Sequence, residues 1–165
     1  MLLANFMMGG GFLNSRIPMR LRQKEGISYG ASTGMQVQTQ DQYTTFMTGA
    51  ILNPMNAERL TAAYREEIDK ILKEGFTAEE VAAAREGYVQ GRSQGRANDD
   101  ELVGTLISRR FVGRTLAWDE ALEKAILSLT PEQVNAVVKK YIDPSKTVIV
   151  RAGDFAKNPA PKPTP

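Results

Sequence analysis

The sequence predicts an α+β fold in which an antiparallel or mixed sheet packs against several helices, and three observations predict it. Residues 28–37 and 43–51 are rich in Thr, Tyr, Val, Phe and Met, and the polar Thr39-Gln40-Asp41-Gln42 between them reads as a hairpin connection. Three or four helical patterns follow, some opened by clear capping residues. The β-branched run TVIVRAG, residues 147–153, then returns as a strand, and its apolar residues on both alternating faces predict burial inside the sheet. A hairpin, a block of helices and a returning strand describe layers, not a regular β-α-β repeat.

Taken in order, Leu2, Leu3, Phe6 and Met7 recur at helical spacing, and Gly9 to Gly11 are expected to stop that helix. Asn14 or Ser15 caps a second helix, which tolerates Pro18 in its first turn, aligns Leu13, Ile17 and Leu21, and breaks near Gly26. After the hairpin, Leu60, Ala63, Tyr64, Ile68, Ile71 and Leu72 mark a helix ending at Gly75. Thr77 with Glu80 forms a capping box ahead of Val81, Ala84 and Tyr88, and Gly87, Gly91 and Gly95 weaken the far end of that helix. Asn98 to Asp100 open a further helix through Leu102 and Leu106, closed near Gly113. Thr130-Pro131-Glu132-Gln133 starts the last one, ahead of Val134, Val137, Val138 and Tyr141, and Asp143-Pro144 ends it. One domain is expected over residues 1–155, with a Pro-rich tail, 156–165, that cannot join a ladder or a helix interior.

Composition narrows the function. The 165 residues are 42% hydrophobic and 24% charged, as in an ordinary soluble domain. Twenty-one basic against 19 acidic residues, well dispersed, give +2 and no large phosphate-attracting field, so nucleic acid is not an expected partner. The opening MLLANFMM is too short to span a membrane and lacks the cationic flank of a signal peptide. Its abrupt apolar start reads as one half of something larger. With no His and no Cys, the chain has neither the usual zinc ligands nor the commonest general base, and unaided hydrolysis is not expected.

Most motif candidates resolve into structure. GGGF at 9–12 lacks the Gly-Lys-Ser/Thr of a phosphate loop and reads as a turn with close backbone packing. Glu66, Glu67, Asp69 and Glu74 lie among Arg65, Lys70 and Lys73 as a solvated helix face, while Glu79, Glu80, Asp99, Asp100 and Glu101 sit at helix starts where capping explains them. Trp118 and Tyr141 are read as core or core-edge residues. Arg22 and Tyr29 differ. An Arg at a helix end and a Tyr seven residues on, across a glycine turn, can converge, and a guanidinium fork plus a hydroxyl aimed at one carbonyl would stabilise an oxyanion. On spacing alone, Arg capping its own helix and Tyr packing on the sheet remains open.

NFMMGGGFLNSRIPMRLRQKEGISYGAS, residues 5–32, resembles the start of the C-terminal half of the pitrilysin/insulinase zinc metallopeptidases, and LTPEQVNAVVKKYIDPSKTVIVRAGD, residues 129–154, is similar to that half's closing segment. The resemblance implies a half-domain of a two-half enzyme whose N-terminal half carries an H-x-x-E-H zinc motif. It implies further that the family's Arg and Tyr, six residues apart in between, fall on Arg22 and Tyr29 and bind substrate near the scissile carbonyl. Arg16 is a third candidate, able to contact acidic groups or to cap the loop.

The zinc would belong to the missing N-terminal half, none to this chain, which lacks His and any strand ahead of Leu2. The implied partners are that catalytic half, on the same polypeptide or as a partner subunit, a peptide substrate, and a second copy through an exposed strand edge. Exported bacterial members suggest a periplasmic or exported location by analogy. Two other readings stay open: a structural assembly subunit of the same family, and a general peptide-binding module with an open sheet edge.

Overall fold

The computed structural model describes residues 1–11, 14–154 and 157. Leu13 and all of the Pro-rich tail except Lys157 therefore lie outside the described residues. The chain opens with α1 (Leu2–Asn5), which runs on as a π-helical stretch over Phe6–Gly10, and α2 (Arg16–Pro18), which runs on as another over Met19–Lys24. Strands β1 (Ser28–Val37) and β2 (Thr44–Leu52) pair antiparallel. Helices α3 (Ala57–Glu74), α4 (Ala78–Arg96), α5 (Asp99–Phe111), α6 (Leu116–Leu127) and α7 (Pro131–Tyr141) follow.

Leu3, Met8, Ile17 and Leu21 from the first two helices meet Ile71, Val81 and Val138 from α3, α4 and α7 in one buried core. Burial of such side chains is worth about 1.5–3 kcal/mol each. The first helix ends within Gly9 to Gly11 as expected, with Gly9 and Gly10 the last residues of its π-helical run and Gly11 its C-cap. A Cβ on Gly9 would stand 2.8 Å from the Thr33 amide nitrogen, so this glycine permits contact between helix and β1. Ala31, buried Thr33 and half-buried Met35 turn toward the helices, as do Phe46, Thr48, Ala50 and Leu52 of β2.

Local capping holds the helices where the sequence places it. Thr77 Oγ1 accepts from the Glu80 amide at 3.2 Å while the Thr77 amide donates to Glu80 at 2.8 Å, and Thr130 with Gln133 repeats the box. Gly75, at φ 76°, ends α3, and Asn135 of α7 then pairs with both backbone groups of Phe76 at 2.8 and 3.0 Å. Gly87, Gly91 and Gly95 do not interrupt α4.

Three expectations fail, and one helix is unforeseen. Residues 147–153 form no strand, with Val148 84% and Val150 85% exposed. A β-branched run becomes a strand only with a ladder partner, and β2 pairs with β1 alone among the described residues. Helix α6 was not expected from the sequence at all. Glu67 is buried rather than solvated, and Tyr141, at 62% exposure, lies outside the core.

Candidate functional site

The π-helical run Met19–Lys24 and the start of β1 converge on an open depression of about 440 Å³, lined by Arg22, Gly26, Ile27, Ser28, Tyr29, Ile51, Leu52, Asn53 and Asn56. The structure thus brings Arg22 and Tyr29 to the same concavity. Gly26, at φ 63°, makes the turn that joins the helix to the strand.

Tyr29 reaches this place through a break in the ladder. Ser28 opposes Leu52 and Gly30 opposes Ile51, leaving Tyr29 as the extra residue of a β-bulge. Side chains alternate along a strand, so Tyr29 would share the helix-facing side with Ala31 and Thr33 in a continuous pleat. The bulge reverses that phase, and Tyr29 is 88% exposed. The buried Ser28 hydroxyl is 2.9 Å from both the Gly30 and the Ile51 carbonyl oxygens, bridging the two strands at the bulge.

The Arg22 side chain is exposed and makes no hydrogen bond or ion pair with any described residue. Glu25, three residues along the chain, and Glu66 of α3 are held by other arginines. Glu25 receives Arg59 at 2.6 Å and Arg20 at 3.2 Å, and Glu66 receives Arg20 at 2.6 Å. A free guanidinium fork and a free phenol hydroxyl thus line one concavity, able to donate to a ligand oxygen.

Arg16 is differently placed. Its guanidinium holds Glu80 through two contacts of 2.7 Å, donates to the Gly75 carbonyl at 3.0 Å and lies over the Phe76 ring. The hydrogen bond from Arg16 holds the Glu80 carboxyl below its ordinary range, and the same bond raises Arg16. The sequence reading missed Ser28 and the bulge, for which no local signal exists because a bulge is a property of pairing register.

Among the described residues no group of three His, Cys, Asp or Glu could hold a metal ion. With no imidazole or thiolate in the chain, the donors present do not fit a zinc site, and no chemical step is assigned to zinc here.

This is an α+β domain in which Arg22 and Tyr29 line one concavity. A family model described as the peptidase M16 inactive domain matches residues 1–88, and the chain belongs to that family. The family's zinc lies in its catalytic half. Among solved structures the chain is similar to a peptidase M16 inactive domain from Pseudomonas fluorescens, with 26% identity, a TM-score of 0.72, and 86% of this chain and 33% of that one covered. A protease from Helicobacter pylori gives 16% identity and a TM-score of 0.70, with 84% and 33% covered. The periplasmic protease PqqL from Escherichia coli gives 18% identity and a TM-score of 0.66, with 85% and 15% covered. These last two share the fold, and the chain spans a third or less of each solved chain. No curated protein matches. No described helix is long and apolar enough to cross a membrane.

Proposed function

We propose that this domain binds the backbone of a peptide at Arg22 and Tyr29 and stabilises the oxyanion formed while a paired catalytic half, on the same polypeptide or a partner subunit, hydrolyses it. The observation that carries the reading is the pair of unengaged donors on one concavity, one of them turned outward by a bulge. When water adds to the scissile carbonyl, its oxygen gains a full charge. Arg22 N–H groups and the Tyr29 O–H donate more strongly to that oxygen than to the neutral carbonyl, which is the condition for lowering a barrier. Arg16 enters this reading only by bracing the α3–α4 joint through Glu80 and Gly75.

Support for a partner comes from α5, where Val103, Leu106, Ile107 and Phe111 are all exposed and follow helical spacing. Self-association through the open sheet edge belongs to the same proposal for the isolated chain. Sedimentation showing only monomer at high concentration would remove that part.

The test mixes this chain with a separately prepared, zinc-loaded catalytic half and follows peptide hydrolysis. Activity that depends on mixing and falls about a hundredfold with Arg22→Ala or Tyr29→Phe supports oxyanion binding. A complex whose activity ignores both substitutions makes the domain a scaffold.

A further inference from the structure

The apolar stripe of α5 lies apart from the Arg22–Tyr29 depression, which no residue of that helix lines. The helix packs on α4 and is tied to α6 by Arg109, and its outer side is uncovered among the described residues. Asp100, Val103, Ile107 and Arg110 follow one another at intervals of three, four and three residues, the spacing that keeps side chains on the seam between two paired helices. Val103 is 53% exposed and Ile107 65%, with Leu106 and Phe111 exposed on either side of them. The seam therefore has an apolar centre, an acid at its first end and a base at its last.

Neither charged end is used within the chain. Asn98 caps the helix by accepting from the Glu101 amide at 3.1 Å, so the cap does not fall to Asp99 or Asp100. The helix dipole favours acids at this end and bases at the other, but it leaves both without a partner side chain. Asp99, Asp100 and Arg110 make no ion pair with any described residue, whereas Arg109 beside them is closed on Asp119 at 2.7 Å. Arg114, just past the helix, lies over the Trp118 ring and also has no carboxylate partner among the described residues.

The order of charges decides the occupant. Two copies of α5 laid antiparallel about a twofold axis through Thr105 set Val103 against Ile107 of the second copy and Asp100 against its Arg110. Leu106 then faces Gly104 of the second copy, where an added Cβ would meet no atom within 4 Å and a large side chain has room. Each contact occurs twice, as a self-complementary twofold interface requires. A parallel arrangement would set Asp100 against Asp100 and Arg110 against Arg110, and like charges in register exclude it.

We infer that α5 is a self-recognition helix whose occupant is α5 of a second copy of this chain, running antiparallel, with Val103 and Ile107 at the centre and an Asp100–Arg110 ion pair at each end. The partner that the stripe calls for is thereby narrowed to one. A single helix pair buries less than the about 1,600 Å² of a standard stable interface, so a reversible dimer of micromolar affinity is expected. This route is separate from the open sheet edge, and the inference does not rest on the oxyanion reading.

Sedimentation equilibrium of the full chain over a concentration series tests it on four samples: the parent, Asp100→Arg, Arg110→Glu, and the two single variants mixed in equal amounts. Alone, each variant sets like charges against each other at both ends of the seam, and its dimer should weaken about tenfold or more. In the mixture the arginine introduced in one variant meets the glutamate introduced in the other, while native Asp100 meets native Arg110. Affinity should then return to within about threefold of the parent. Added salt should weaken the parent dimer and strengthen that of each single variant, because it screens attraction in the first and repulsion in the second. A parent that stays monomeric throughout, a single variant that dimerises as tightly as the parent, or a mixture that regains nothing would each overturn the inference. So would a dimer that the zinc-loaded catalytic half dissolves one for one, which would give the stripe to that half.

Discussion

Two regions of this molecule use arginine in opposite ways. In the helical block, Arg92, Arg96 and Arg109 of α4 and α5 close on Asp119 and Glu123 of α6. Arg109 contacts Asp119 at 2.7 Å and lies over the Trp118 ring, Arg96 contacts Glu123 at 2.5 Å, and Arg92 reaches both acids. At the hairpin, Arg22 has no such partner among the described residues. A guanidinium enclosed by carboxylates is a brace, and one whose neighbours are already matched stays available for something that arrives later. The difference lies in how many acids fold into reach, not in residue type.

The sharpest way to break the comparison is to remove the acid at the centre of the brace. Asp119 is 2% exposed, and Asp119→Ala leaves two guanidinium groups without their shared partner. A loss of about 3 kcal/mol is expected in urea unfolding, with hydrolysis per folded molecule unchanged in the reconstituted enzyme. Arg22→Ala should do the reverse. It should cost about a hundredfold in kcat/KM, about 2.7 kcal/mol of barrier, while the urea midpoint stays within error.

Acid should separate the regions too. Hydrogen bonds from Arg109 and Arg96 hold the Asp119 and Glu123 carboxyls below their ordinary values of 3.8 and 4.5. A depressed folded-state pKa stabilises the fold above the ordinary value and loses that contribution as pH falls through the folded one. Stability measured from about pH 5 downward should therefore fall, and Asp119→Asn should flatten part of that slope, whereas Arg22→Ala should leave it unchanged. The smallest effect compares caps: Thr77→Ala should cost about 1 kcal/mol, and Thr115→Ala only a few tenths, since Thr115 makes no side-chain cap bond.

What the sequence showed follows the range of the forces involved. The Thr77–Glu80 and Thr130–Gln133 boxes were legible because each closes within four residues. Helix α6 was not, because Thr115 gives no capping bond and Asp119 and Glu123 make sense only opposite arginines 10 to 31 residues away. The strand expected at 147–153 failed for the same reason in reverse, since local β-propensity was present and the pairing partner was not. At the candidate site, the spacing of Arg22 and Tyr29 was visible. The exposure of Tyr29 depends on a register shift, and Glu25, three residues from Arg22, is held by Arg59 from 34 residues away.

The bulge at Tyr29 also governs which kinds of change this hairpin can absorb. Substitutions along β1 alter one side chain at a time, but removal of Ile27 or Ser28, with Gly30 and Ala31 keeping their partners, would place Tyr29 opposite Leu52 and fold it against the helices. The outward phenol is therefore protected less by any contact it makes than by a count, and at this corner of the fold a change of length is a graver event than a change of letter.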